Sequence, residues 1–294
     1  MTAVVDGDGA TELPQTAVEA VVDEAAVVGG AAVVGEAAVI DERDAPRTRD
    51  SLAADLRALG LRPASTVLVH CSLSSLGWVC GGPVAVVQAL LDVLGPAGTL
   101  VVPTQSGSLS DPSTWSAPPV PSSWWQLIRD SMPAYDPDLT PTRGMGAVAD
   151  VVRHLPGACR SAHPTVSFTA VGPLAGALMT PHTLAAGLGD RSPLGRLVEA
   201  GAWTLLLGVG WDCATCLHLA EHRSGVRPLV RDGAPVLVDG VRRWVEYDVP
   251  DHDTDRFPAI GAALEASGRV AVGTVGSATA RLTPIADAVA SRRR

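Results

Sequence analysis

Histidines and carboxylates recur in this 294-residue chain at spacings that could move a proton. His163 lies in a polar turn, and Pro164 holds its backbone extended ahead of the apolar run Thr165–Val171. A histidine so placed is either a general base or a turn residue bonded to backbone. Further on, Trp211-Asp212 closes an apolar strand and Glu221 falls inside the next helix, where 3.6-residue spacing puts His218, Glu221 and His222 on overlapping faces. One carboxylate could orient a histidine and stabilise its protonated form, and another could hold a cationic substrate. His218-Leu-Ala-Glu221-His222 also fits the H-x-x-E-H pattern of inverted zinc peptidases. A zinc hydrolase built on His218, Glu221 and His222 is therefore a second reading, weakened by the lack of a third-ligand signature. Cys213-Ala-Thr-Cys216 could be a redox or metal pair, but without a thioredoxin context two semi-buried thiols are expected, with Cys216 turned inward.

A second group of residues suits an anion. The β-branched run Val67-Leu68-Val69 ends abruptly at His70, and a hydroxyl-rich turn follows from Ser72 through Leu73, Ser74 and Ser75 to Gly77. Gly82 and Pro83 fit an N-cap and a first helical position, so free backbone N–H groups would face the turn. Hydroxyls and N–H groups at such a crossing can bind phosphate oxygens without a lysine. Thr104, just past the next strand, is expected beside them, and Arg143 or Arg160 could hold a further phosphate. His70 either reaches into the same cleft or is a buried histidine bonded to a neighbouring carbonyl.

Composition narrows the chemistry. All 22 basic side chains are arginine, which excludes lysine nucleophiles, Schiff bases and a P-loop lysine. A net charge of -9 argues against nucleic acid and leaves room for a cationic substrate. Five cysteines without a signal-like start suggest reduced thiols in a cytoplasmic protein, and no membrane span is expected. Residues 1–47, rich in Ala, Val, Asp and Glu, read as a poorly ordered extension, leaving one domain over 48–294.

The elements that must position these residues alternate regularly. A helix capped by Asp50 runs to Leu59, and strands are expected at Thr66–Val69 and Thr99–Pro103 with a helix Pro83–Leu94 between them. This β-turn-α-β unit favours a parallel pair. Residues 104–143, rich in Pro, Ser, Asp and Trp, form a long segment of weak periodicity that is more functional than connective in character. Helix Gly146–His154, strand Thr165–Val171, helix Pro193–Ala200 capped by Ser192, strand Trp203–Val209 and helix Thr215–Arg223 follow. Asp239-Gly240 marks a tight hairpin, and Pro258–Ser267, Val270–Val275 and Pro284–Ser291 complete the chain. The class is α/β, a layered mixed sheet flanked by helices with a hairpin-containing C-terminal part.

Taken together, the run from Val67 to Gly82, Thr140–Gly146, Ser161–Phe168, Ser192–Gly195 and Gly208–Asp212 with Leu217–Arg223 resemble the aminoglycoside 3-N-acetyltransferase family in order and over roughly residues 48 to 290. The resemblance implies that family's fold, distinct from the GNAT acetyltransferases, with acetyl-CoA as donor, no metal, and the 3-amino group of a 2-deoxystreptamine aminoglycoside as acceptor. Another amine, such as a biosynthetic intermediate, is the alternative substrate, and a monomer or homodimer is implied. Acyl transfer to an amine needs a base and a stabilised oxyanion. With the resemblance, His163 becomes the expected base, Glu221 its partner with Asp212 the alternative, and His70 a helper that also contacts the cofactor. Trp115, Trp124, Trp125 and Tyr135 offer rings to sugars, while Asp111, Asp136, Asp138, Asp212 and Glu221 offer charge to a polyamine. Cys71 stands where the family often carries serine, and Ala214 where an amide is expected.

Overall fold

The computed structural model describes residues 45–290. All but the last three residues of the 1–47 extension lie outside that range. In chain order the first half holds helix α1 (Arg49–Leu59), strand β1 (Thr66–Cys71), α2 (Gly82–Leu94), β2 (Thr99–Pro103), α3 (Trp125–Ser131), α4 (Gly146–Arg153), β3 (Cys159–Arg160) and β4 (Phe168–Val171). The second half holds α5 (Ala175–Met179), α6 (Pro193–Glu199), β5 (Trp203–Leu207), α7 (Cys216–Ser224), β6 (Leu229–Val238), β7 (Val241–Pro250), α8 (Phe257–Ala266), β8 (Ala271–Val275), β9 (Ala278–Pro284) and α9 (Ile285–Ala290).

Seven strands form one mixed sheet in the order β3-β4-β2-β1-β5-β9-β8. Its centre, β2-β1-β5, is parallel, and both flanks are antiparallel. Because β1 has parallel neighbours on both sides, the chain reverses its direction of winding there and leaves a crevice beyond the carboxyl ends of the strands. The second sheet is the hairpin β6–β7, turned by Asp239 and Gly240, both at positive φ as a type I′ turn requires.

The central strands are apolar throughout because both faces are covered. Alternation divides β1: Val67 and Val69 enter the core against α1, α2 and α4, whereas Leu68 enters the opposite core, built on α5–α9. His70 shares the parity of Leu68 and so projects to the side of the sheet that carries α7. Leu206 of β5, its register partner, points the same way.

Several boundaries differ from the sequence expectation for identifiable reasons. Thr48, not Asp50, caps α1, accepting the Ser51 N–H while the Ser51 hydroxyl accepts from the Thr48 N–H. Gly81, in the left-handed region, precedes α2, so Gly82 is helical. Strand β4 starts three residues late because Thr165–Ser167 are drawn into a turn bonded to the chain after β2. Strand β9 was not anticipated: its Ala, Thr and Arg residues hide an interior position between β5 and β8.

Trp211, directly before Asp212, packs flat on α8. Its indole N–H donates to Glu265 at 2.6 Å, and Arg281 holds the same carboxylate oxygen at 2.6 Å. A Cβ added at Gly261 would lie 1.9 Å from that indole ring. Gly261→Ala is expected to destabilise the protein by about 1–3 kcal/mol, as overpacking of a fitted core does. A lowered denaturant midpoint checks it; an unchanged midpoint would mean that α8 slides freely over Trp211.

Candidate active site

A cavity of about 260 Å³ opens at the carboxyl ends of β1, β2 and β5, at the crevice that the winding reversal creates. Val69, His70 and Cys71 line it from β1, Pro103 and Gln105 from the end of β2, and Met145 and Val148 from the start of α4. Asp212, Cys213, Thr215 and His218 close the other side, and Thr254 reaches in from the chain after β7.

His218 lies in the first turn of α7. Its Nδ1 faces Glu221 Oε2 at 2.7 Å, one helical turn away, and Glu221 is 1% exposed. A carboxylate in so apolar a place must be bonded. The pairing puts the proton on Nδ1 and leaves Nε2 as the nitrogen that can accept one, on a residue that lines the cavity. Phe257 and His252 pack edge-on against the ring at 4.8 and 4.6 Å, which fixes its rotation. The arrangement is that of a general base with a buried orienting carboxylate.

The histidine singled out in the sequence, His163, lies outside this cavity. It is 1% exposed, its Nδ1 accepts the backbone N–H groups of Thr165 and Val166 at 3.3 Å, and its Nε2–H donates to the Leu184 carbonyl at 3.3 Å. His182 stacks beside it at 4.8 Å and ties Ser161 to the Gly187 carbonyl, while Tyr247 meets its edge at 5.9 Å. Both ring nitrogens of His163 thus hold turns together; the bland reading of a bonded turn histidine describes its surroundings. Burial pushes its pKa down to about 3.

Asp212 and His218 line the same cavity, and Glu221 stands behind His218 through its hydrogen bond. Asp212 is exposed at the cavity wall, with the Cys213 thiol 3.8 Å away. The serine turn begins where the lining ends, at Cys71. Ser75 donates to Ser72 at 2.9 Å and reaches the Gly208 carbonyl at 3.1 Å, so that hydroxyl ties the turn to the end of β5, while Ser74 remains exposed. Leu73 packs partly against the first core, and Gly77 stands at positive φ where an added Cβ would also meet the Ser277 hydroxyl at 2.8 Å. Thr104 is fully buried, its carbonyl bonded by Arg160 and Ser167 and its hydroxyl by Thr169, so its polar atoms face the fold instead of the cavity. Arg160 is likewise structural, lying over Tyr135 and bonding the carbonyls of Thr104, Pro137 and Thr140.

The acidic residues of the long segment turn out to fold it. Asp111 is buried and paired with Arg129 at 2.8 Å, which holds its carboxyl below the usual range. Asp136 caps its own turn through the N–H groups of Asp138 and Leu139. Tyr135 is buried with its hydroxyl on the Ser161 carbonyl and its N–H on Pro235 of the hairpin. None of the three lines the cavity: Asp111 and Tyr135 help dock the segment onto the hairpin and the neighbouring turns, and Asp136 closes a turn within it.

The zinc pattern does not assemble. Glu221 is taken up by His218, and His222 turns its Nε2 to His252 Nε2 at 3.2 Å. Among the described residues no group of three or more His, Cys, Asp or Glu could hold a metal ion. Cys213 and Cys216 are both free thiols; Cys216 is buried, which pushes its pKa up to about 12.

Sequence reasoning did not place His218 at this cavity, nor Gln105 and Thr254 beside it, nor His252 and Phe257 against its ring. The i, i+3 spacing of His218 and Glu221 was the available signal.

The chain is similar to known proteins over most of its length. The family model "Aminoglycoside 3-N-acetyltransferase" matches residues 68–294. The SPbeta prophage-derived aminoglycoside N(3')-acetyltransferase-like protein YokD of Bacillus subtilis is 49% identical over 245 residues, 83% of this chain and 90% of that protein. Its crystal structure superposes with a TM-score of 0.83, covering 84% of this chain and 92% of that one at 48% identity. Aminoglycoside N(3)-acetyltransferase VII of Streptomyces paromomycinus is 38% identical over 84% of this chain and 90% of its own length. A solved structure titled as the binary complex of AAC-IIIb with CoASH has a TM-score of 0.74 and 32% identity over 84% of this chain and 95% of that one.

Two expectations follow from the buried imidazoles. His163→Ala should lower stability by about 2–4 kcal/mol, through lost hydrogen bonds and a cavity, while turnover of the folded variant stays near normal. A stable variant with turnover reduced a hundredfold would return His163 to the chemistry. Burial also depresses the pKa of His70, His182 and His252 to about 4. Below the unfolded value of about 6.5 the unfolded chain binds protons that the folded chain refuses, so stability is full above that pH and falls as pH drops toward 4. Each of these histidines contributes a slope of up to about 1 kcal/mol per pH unit. Urea midpoints at pH 7 and pH 5 measure it, and equal midpoints would contradict it.

Proposed function

Because the chain belongs to the aminoglycoside 3-N-acetyltransferase family, we propose that it transfers the acetyl group of acetyl-CoA to the 3-amino group of a 2-deoxystreptamine aminoglycoside, as an antibiotic-resistance enzyme of the cytoplasm. The observation that carries the reading is the His218–Glu221 pair at 2.7 Å on the wall of the strand-end cavity. In this reading His218 Nε2 takes the proton of the attacking amine, and Glu221 stabilises the imidazolium that results. The amine nitrogen bonds to the thioester carbon, the carbonyl electrons move onto oxygen, and their return breaks the C–S bond. The departing sulfur receives the proton from His218. The transfer is direct, with no acyl-enzyme.

Coenzyme A fits the serine turn from Ser72 to Gly77, which adjoins the cavity through Cys71, and its reactive end would reach past His70. Of the acidic residues named from the sequence, Asp212 is the one that combines exposure with a place in the cavity wall, which suits an ammonium group of the acceptor. Asp111 and Asp136 are occupied within the long segment, and we assign them no substrate contact. No helix among the described residues is long and apolar enough to cross a membrane.

Thiol release from acetyl-CoA, measured against a panel of aminoglycosides and simple amines, tests the reading. Strict dependence on a 3-amino-2-deoxystreptamine supports it, whereas release with simple amines alone would favour the other-amine alternative. Glu221→Gln and His218→Gln should each lower kcat by about 10²–10⁴ with modest change in KM for acetyl-CoA. Asp212→Asn should instead raise KM for the aminoglycoside by about 10–100-fold, the worth of one hydrogen bond to a charged group. Wild-type turnover in both base variants would remove the mechanism.

A further inference from the structure

His70 has no structural task that explains it. It is 7% exposed at the penultimate position of β1, and among the described residues its Nε2 is sealed from solvent without a hydrogen-bond partner. An unpartnered buried ring nitrogen costs about 1–3 kcal/mol. His163 and His182, equally buried, spend both nitrogens on the fold. His70 alone among these three keeps its ring uncommitted, and it is the one that lines the cavity with His218. A polar group held at a cost in a reaction cavity is provided for a ligand, because binding is what repays it.

Its protonation state narrows the role. Burial, with the nearby His218 as the second cause, pushes its pKa down to about 4, so the ring is neutral at physiological pH. A neutral imidazole carries one N–H, and a nitrogen so weakly basic is a poor acceptor for the proton of an amine. The remaining need of acyl transfer is a donor for the oxygen that becomes negative. Parity along β1 sets His70 on the α7 side of the sheet, the side that carries His218, while the neighbouring positions Val69 and Cys71 turn to the other face.

We propose that His70 is a catalytic residue that donates its imidazole N–H to the acetyl thioester carbonyl and holds the oxyanion formed when the amine adds. The step balances without His70 changing its own protonation. The N–C bond forms as the carbonyl electrons pass to oxygen, the proton leaves nitrogen for His218, and collapse expels the thiolate, which takes that proton back. This role rests on the reading of the cavity as the acetyl-CoA site.

The test compares His70→Asn, which keeps a side-chain N–H, with His70→Leu, which is close in shape and lacks one. Thiol release from acetyl-CoA with an aminoglycoside acceptor gives kcat and KM, calorimetry gives CoASH affinity, and circular dichroism reports folding. His70→Leu should lose about 10²–10³ in kcat while KM for acetyl-CoA and CoASH affinity stay within about threefold of wild type, and His70→Asn should recover a measurable part of the loss. If His70→Leu does not fold, His70→Gln and His70→Met form the same donor and non-donor pair. A folded non-donor variant with wild-type kcat, or a loss confined to KM, overturns the role of His70 while leaving the transferase intact. Absence of thiol release by the wild-type enzyme with every aminoglycoside overturns the transferase reading itself, and this proposal with it.

Discussion

A carboxylate enclosed in an apolar core has to be bonded, and Glu221 satisfies that demand through His218. Much of the molecule is arranged around this pair. Helix α7 carries both groups one turn apart, and its Cys216, Leu217, Leu219 and Ala220 bury the helix in the second core so that the carboxylate cannot escape to water. Phe257 from α8 and His252 from the chain after the hairpin press on the imidazole from the remaining sides. Removing His218 would take from the buried Glu221 carboxylate its hydrogen bond to the imidazole, so the fold itself constrains both positions.

The parallel strands supply the other half of the site. Their carboxyl ends converge where the winding reverses, and the residues found there come from segments distant in sequence: His70, Gln105, Met145, Asp212 and Thr254. The long segment between β2 and α4 reaches the cavity only through its two ends. Its middle is fastened elsewhere, with Arg129 held by Asp111 and the carbonyls of Arg129 and Met132 held by Arg242 of the hairpin. That use of charge accounts for an acidic, tryptophan-rich stretch whose carboxylates lie away from the cavity at the strand ends.

The α/β class, the parallel β1–β2 unit, the Asp-Gly hairpin and the bounds of β2 were legible because each has a local signal: an apolar run, a cap, a turn dipeptide. The serine turn and the His-x-x-Glu spacing on α7 were legible for the same reason. Which histidine faces the cavity was not, since that depends on how turns remote in sequence close over a side chain. His163 and His218 both sit beside strand ends in polar surroundings, and only the fold shows that Thr165, Val166 and Leu184 consume the first. Likewise Asp111 read as free charge because Arg129, 18 residues away, lies beyond any local pattern. Strand β9 escaped notice because a strand with Ala, Thr and Arg among its residues lacks the apolar run by which strands are recognised.

The strict alternation of β1 has a consequence for how such a chain can diversify. The strand offers an imidazole to one face and a thiol to the other from adjacent positions, and β2 and β5 pin its register on both sides. Losing or gaining one residue within Thr66–Cys71 would therefore exchange these chemistries across the sheet at a single stroke, along with every apolar residue that serves each core. Length variation among descendants of this sequence is confined by that arithmetic to the loops, and β1 can evolve only by substitution in place.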